Sequence, residues 1–278
     1  MSRVALSLKD EAVAAAISGA AVPFPDAGAM RVHKTPWDVY RPSSHSDGAS
    51  QERGPNRFDD PHHHYPVRYL GEHLRVCLLE VMARFRANAD AEALLAQMTP
   101  GSEDPELDDL VDPAQVQGVT DFLAMNQVAI FRPPPSAPLT TSVDVFDPDL
   151  LTALDGHHRI RKQLRQPAVL AAYGDAQGDV HLDGSLIRNA STKVGRPVTQ
   201  EISWLLFNVL HVQALRYFSR HSEGDEAVCW AVRGDVPLDV KSAEYLDAAN
   251  PHHRDAVQYV SDRYDLPLPL PWAEVIPT

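Results

Sequence analysis

A carboxylate set in an apolar run must be paired or used, and Glu80 in "HLRVCLLEVMARF" is such a group. Leu74, Cys77, Leu78, Val81, Met82 and Phe85 follow helical spacing, and Val76, Leu79, Ala83 and Ala87 form a second apolar stripe with Glu80 at its edge. Arg84, one turn later, is the local partner that would account for it, worth about 0.3–0.5 kcal/mol as an exposed pair. Four more residues share a strand or turn context: Arg41 ending "VYR", Arg57 before the aromatic of "NRF", Tyr69 in "VRYL" and Ser219 in "LRYFSRHS". Singly, Arg57 reads as a turn-stabilising surface residue and Tyr69 as an ordinary strand aromatic. Ser219 alone says almost nothing.

The familiar catalytic signatures are mostly missing. The chain has no Walker phosphate loop, no Gly-x-Gly-x-x-Gly turn, no Gly-x-Ser-x-Gly elbow and no His-Glu-x-x-His helix. A nucleotide, if bound, must therefore be held by side chains. His62 to His64, His157-His158 and His252-His253 lack matched cysteines or the helical spacing of a zinc site, so no metal is expected. Cys77 and Cys229 lie far apart inside apolar runs, which suggests buried thiols and a reducing, cytoplasmic setting.

The elements that must position these groups form a patterned middle between a weak start and a proline-rich end. Residues 7 to 20 read as a short helix, Pro23 to Gly28 as a linker, and the core as starting near Met30. A short strand over Val67 to Leu70 precedes the Glu80 helix. Residues 90 to 121 hold nine Asp or Glu and no Lys or Arg, which reads as an acidic solvated insertion. "FRPPPSAPL" forces an extended loop. Leu150 to Leu164 reads as one helix, "HLDGSLIRN" as a strand and turn, and Ile202 to Leu210 as a helix feeding the strands "ALRYFSRHS" and "VCWAVRG". Strands broken by long helices without regular alternation indicate an α+β fold.

At 278 residues, 44% hydrophobic and 23% charged, the chain has the composition of a soluble globular protein and can bury a good core. Lys9-Asp10-Glu11 interrupts the apolar start that a secretory signal would need. A net charge of -13 argues against nucleic acid or an anionic membrane as partner, and any anionic ligand must be drawn in by locally placed arginines.

In order, "VYR", "RFD", "YPVRYLGEHLRVCLLE", "TQEISWLLF" and "ALRYFSRHS" resemble the RES-domain family, named for an arginine, a glutamate and a serine, over roughly residues 36 to 235. By this resemblance Arg57, Glu80 and Ser219 are the three naming, catalytic residues, and Arg41 and Tyr69 join Arg57 and Ser219 in binding the substrate. Two features depart from the family pattern. Its compact toxin members are shorter between glutamate and serine, and its Gly-Gly-Arg-Trp context is "PNRF" here.

The resemblance implies an ADP-ribosyltransferase-like α+β fold with mixed sheets and flanking helices. It implies cleavage of the bond between nicotinamide and ribose in NAD, by phosphorolysis or hydrolysis, with inorganic phosphate as a possible co-substrate and no cofactor. Glu80 would then stabilise the oxocarbenium-like ribose, Arg41 and Arg57 would hold the pyrophosphate, Tyr69 would meet the nicotinamide riboside, and Ser219 would fix the ribose or the glutamate. Arg216 and Arg220, flanking Ser219, could share a side that holds phosphate. Transfer of ADP-ribose to a macromolecule and an idle binding module of toxin-antitoxin type are the alternatives, with a helix-turn-helix antitoxin and a homodimer as expected assemblies. The implied organisation is a helical extension and linker over 1–35, a catalytic domain over 36–235 with an acidic, Pro-rich insertion at about 90–140, and a C-terminal helix and Pro-rich tail over 236–278.

Overall fold

The computed structural model describes residues 7–34, 56–85, 113–175, 178–189, 194–221 and 227–272. Along the chain these form α1 (Leu8–Gly19), β1 (Ala29–His33), β2 (Val67–Gly71) and α2 (Leu74–Met82), the last running into a tight turn at Ala83–Phe85. Next come α3 (Pro113–Met125), β3 (Gln127–Arg132), β4 (Ser142–Asp144), α4 (Pro148–Gly156), α5 (His158–Leu164), α6 (Pro167–Tyr173) and α7 (Gly184–Asn189). The remainder is α8 (Arg196–Trp204), extended by a wider π turn at Leu205–Val209, then β5 (Ala214–Phe218), β6 (Val228–Arg233), β7 (Asp239–Tyr245) and α9 (Pro251–Tyr264).

The strands make one seven-stranded sheet in the order β4-β5-β6-β2-β1-β3-β7. Only β4 and β5 run parallel. The α+β class is as read from the sequence, with the mixed pairing gathered into a single sheet. Its strands span Ala29 to Tyr245 and so cross the expected boundaries at 35 and 235. Among the described residues no helix is long and apolar enough to cross a membrane.

Strand alternation divides the core. Leu70, Trp230, Ala129 and Phe131 point to one face, where Phe24, Val236 and Leu238 from connecting segments cover them. The other face carries the helices in two groups. Toward β5 and β6, residues of α1, α4, α5 and α8 such as Val13, Leu154, Ile160 and Ile202 pack over Leu215 and Ala231. Toward β1 and β3, residues of α2, α3 and α9 such as Leu78, Phe122 and Val257 pack over Val32 and Val128. Helix α2 lies close against β2 because residue 71 is glycine: a Cβ there would sit 2.6 Å from Val76 Cγ1 and 2.7 Å from Cys77 Sγ.

Three expectations change. The stretch read as acidic insertion and loop holds α3, with Val119, Phe122 and Leu123 buried, and β3, in register with β1 from Ala29↔Phe131 to His33↔Gln127. The acidic residues that precede α3 hid this, although Val119, Phe122 and Leu123 fall at helical spacing. "HLDGSLIRN" is not a strand and turn: Asp183 Oδ1 accepts the Leu186 N–H at 2.7 Å and so starts α7. The helix expected over Leu150 to Leu164 is two, α4 and α5, broken at His157. That residue leaves helical geometry (φ -75°, ψ 133°) and its buried ring meets Asp10 Oδ1 of α1 at 3.0 Å.

Candidate active site

A cavity of about 400 Å³ opens at the middle of the sheet, over β1 and β2 and between the two helix groups. The sheet itself parts there. β2 follows β6 from Val67↔Arg233 to Gly71↔Cys229, whereas β1 and β2 are matched only at Met30↔Gly71. Arg31 and Val32 on one side and Tyr69 and Leu70 on the other both border the cavity.

Glu80 stands on this wall. Its helix puts it one residue past Leu79, which is fully buried, so its carboxylate emerges at the helix edge with the side chain 31% exposed. It does not turn to Arg84, whose guanidinium lies over the rings of Phe85 and Phe122. Instead Ser219 Oγ, beyond the end of β5, donates to Glu80 Oε1 at 2.6 Å, and Arg57 Nη2 stands 3.5 Å from the same oxygen. Ser219 is completely buried, and its oxygen also accepts the His221 N–H at 3.0 Å. Arg57, Glu80 and Ser219, far apart in the chain, thus meet on one oxygen.

Arg57 differs from the expectation that it would clamp pyrophosphate. Its Nη1 faces the carbonyls of Ile187 (3.5 Å), Arg188 (3.3 Å) and Phe218 (3.3 Å), and its guanidinium carbon lies 4.8 Å from the Tyr217 ring centre. A guanidinium so engaged ties the C-terminal end of α7 and the end of β5 to Glu80. Tyr69 also spends its hydroxyl internally, donating to Asp59 Oδ1 at 3.0 Å and accepting the Phe58 N–H at 2.9 Å. Burial, then the Asp59 charge, pushes that hydroxyl well above its ordinary range. Tyr69 can therefore offer the cavity a ring rather than an acid. Asp59 is completely buried, and burial raises its carboxyl against the bonds from Asn56 and Tyr69 that favour the charge.

Arg41 lies outside the described residues. Arg216 and Arg220 are not brought together. Arg216 is on the opposite face from Tyr217, ion-paired with Asp144 and lying over Phe218, while Arg220 follows the strand and lines the cavity. Arg31 and Arg196, which the sequence reading missed, line it too. Arg31 follows from the alternation of "AMRVH" once that stretch is taken as a strand; Arg196 gives no such signal, since only the fold brings the first residue of α8 to the cavity. The residues lining the cavity with Glu80 thus include four arginines, Arg31, Arg57, Arg196 and Arg220. Such a wall suits an anionic ligand that presents a developing positive charge to one carboxylate.

The histidine-rich turn does different work. Asp60, buried, accepts the backbone N–H groups of His62 (2.9 Å), His64 and Tyr65 (3.2 Å), and the three histidines themselves are exposed. Cys77 and Cys229 are both free and buried, and burial pushes the Cys77 thiol up to about 12.

The RES domain family model matches residues 29–141, in agreement with the resemblance drawn from the sequence. The matched span contains Arg31, Arg57, Tyr69 and Glu80 and ends before Ser219, so Ser219 joins the site through its bond to Glu80. No curated protein matches the chain. A solved structure, the crystal structure of the M. tuberculosis MbcT-MbcA toxin-antitoxin complex, is similar at 15% sequence identity over 87% of this chain and 95% of that one, with a TM-score of 0.39. A likeness of that size carries no argument about the site.

Proposed function

We propose that this protein degrades NAD by cleaving the bond between nicotinamide and ribose. The observation that carries the reading is the Glu80 carboxylate, fixed by Ser219 at 2.6 Å on the wall of an arginine-lined cavity. Nicotinamide leaves as a neutral molecule from a cationic ring, so the step needs no general acid. It needs a fixed negative group beside the ribose as positive charge develops there. Glu80 supplies that group, Ser219 and Arg57 hold it in place, and Tyr69 offers its ring to the nicotinamide riboside. Arg31, Arg196 and Arg220 take the pyrophosphate, in place of Arg57. The acceptor is phosphate or water. A helix-turn-helix antitoxin belongs to the same reading on the family resemblance, and a cytoplasmic setting on the two free, buried thiols.

Proton NMR of NAD incubated with the purified full chain, with chelator present and phosphate varied, should show free nicotinamide appearing. Glu80→Gln, which keeps shape and removes charge, should cut its rate by at least about a hundredfold. Intact NAD under all phosphate concentrations, or native turnover in Glu80→Gln, overturns the proposal. Mass spectrometry of the same samples assigns the acceptor: ADP-ribose-1″-phosphate for phosphorolysis, ADP-ribose alone for hydrolysis, a mass increase on protein for transfer.

A further inference from the structure

The C-terminal helix α9 reaches the site from behind. The hydroxyl of Tyr264, its last residue, donates to the Leu79 carbonyl at 3.1 Å in a buried bond. That carbonyl already accepts the Ala83 N–H that closes the last turn of α2, the turn that carries Glu80. The Tyr264 ring meets His221 edge-on, centroids 5.9 Å apart at 88°, and the neighbouring Arg263 donates from Nε to the His221 carbonyl at 2.9 Å. His221 in turn gives its N–H to Ser219 Oγ, and Ser219 gives its hydrogen to Glu80. The contacts close a ring: Tyr264 to the Glu80 turn, Glu80 to Ser219, Ser219 to His221, and His221 back to Tyr264. One buried side chain thus touches both segments whose separation fixes the 2.6 Å bond.

We infer that Tyr264, aided by Arg263, is a positioning residue for the Glu80–Ser219 pair. The inference rests on the proposed function for its kinetic readout but not for its geometric one. Tyr264 is not itself a lining residue of the cavity, though its ring backs His221, which is; it sets where the carboxylate stands. Held by one polar bond and one ring contact on opposite sides, the α2 turn and the Ser219–His221 turn keep their distance only while α9 is docked. Loss of the hydroxyl leaves the ring and the packing and removes the bond to the α2 turn.

The test uses the full chain with Tyr264→Phe, Arg263→Gln and Arg263→Lys, and Asp255→Gly as a control that weakens α9 from its exposed face. Carbon-13 NMR of side-chain carboxyl groups follows the titration of Glu80 in the ligand-free protein, its resonance assigned by Glu80→Gln. Steady-state kinetics with NAD give kcat and KM. Tyr264→Phe should move the Glu80 titration and lower kcat by about tenfold with KM within about twofold, on the scale of one displaced catalytic group. Arg263→Gln should give a smaller change in the same direction, restored in part by Arg263→Lys; Asp255→Gly should move neither readout. An unmoved Glu80 titration in Tyr264→Phe, or an equal fall in kcat in Asp255→Gly, overturns the inference. If the parent protein leaves NAD intact, the proposed function fails and the titration alone decides the positioning role.

Discussion

Ser219→Ala separates a residue that holds the carboxylate from one that meets substrate. The substitution removes the 2.6 Å bond to Glu80 Oε1 and the acceptor of the His221 N–H, in a place with no exposure. A hydrogen bond to a charged group is worth about 1.5–3 kcal/mol. Glu80 is 31% exposed, so water replaces part of what Ser219 gave, and the lower half of that range applies. At 1.36 kcal/mol per decade, kcat should fall roughly 13- to 45-fold. Because Ser219 acts through Glu80, adding Ser219→Ala to Glu80→Gln should cost far less than Ser219→Ala costs alone. The assay is chromatographic release of nicotinamide from NAD, with thermal unfolding to confirm that each variant is folded. Equal losses in both backgrounds would place Ser219 on the substrate, and native kcat in folded Ser219→Ala would refute the geometry as the source of catalysis.

Gly71→Ala should destabilise the fold by about 1–3 kcal/mol in urea unfolding and lower turnover with it, since a Cβ at 2.6 Å from Val76 Cγ1 forces α2 outward and carries Glu80 with it; unchanged stability would mean that β2 and α2 yield freely. His157 gives a pH dependence: burial, outweighing the nearby Asp10 carboxylate and aided by His158 and Arg159, holds its pKa below the ordinary 6.5. The unfolded chain takes up this proton near pH 6.5 while the folded chain does so only lower, so the stability His157 contributes is intact above 6.5 and lost as pH falls below it. Urea midpoints at pH 7.5 and 5.5 should therefore drop more for the parent than for His157→Gln, and equal drops would show that another group sets the slope.

Much of the site was legible because its parts carry local signals. Glu80 is conspicuous between apolar stripes, Tyr69 sits on a short apolar strand, and the ordered series from "RFD" to "ALRYFSRHS" linked them to Ser219. Arg31 and Arg196 were not legible, because a lone arginine becomes part of a wall only when a sheet parts at β1 and a helix begins at the cavity. The partner of Glu80 was misjudged for a related reason: spacing along a helix offers Arg84, and only tertiary packing offers Ser219. Strand β7, "DVKSAEY", escaped notice because both of its faces are largely exposed, leaving no alternation to read. Strand β3 was hidden by the acidic and proline-rich residues on either side of it.

The ring of contacts from Glu80 through Ser219 to Tyr264 fixes when, during synthesis, the site can exist. The partner of Glu80 emerges 139 residues after it, and the phenol that anchors Leu79 emerges 185 residues after that carbonyl. A nascent chain, or one cut before residue 219, carries Glu80 and much of the cavity wall with no hydroxyl to orient the carboxylate. Contacts of such sequence separation are the slowest to form. The ring from Glu80 through Ser219 to Tyr264 can therefore close only when nearly the whole length has been made and folded back on itself.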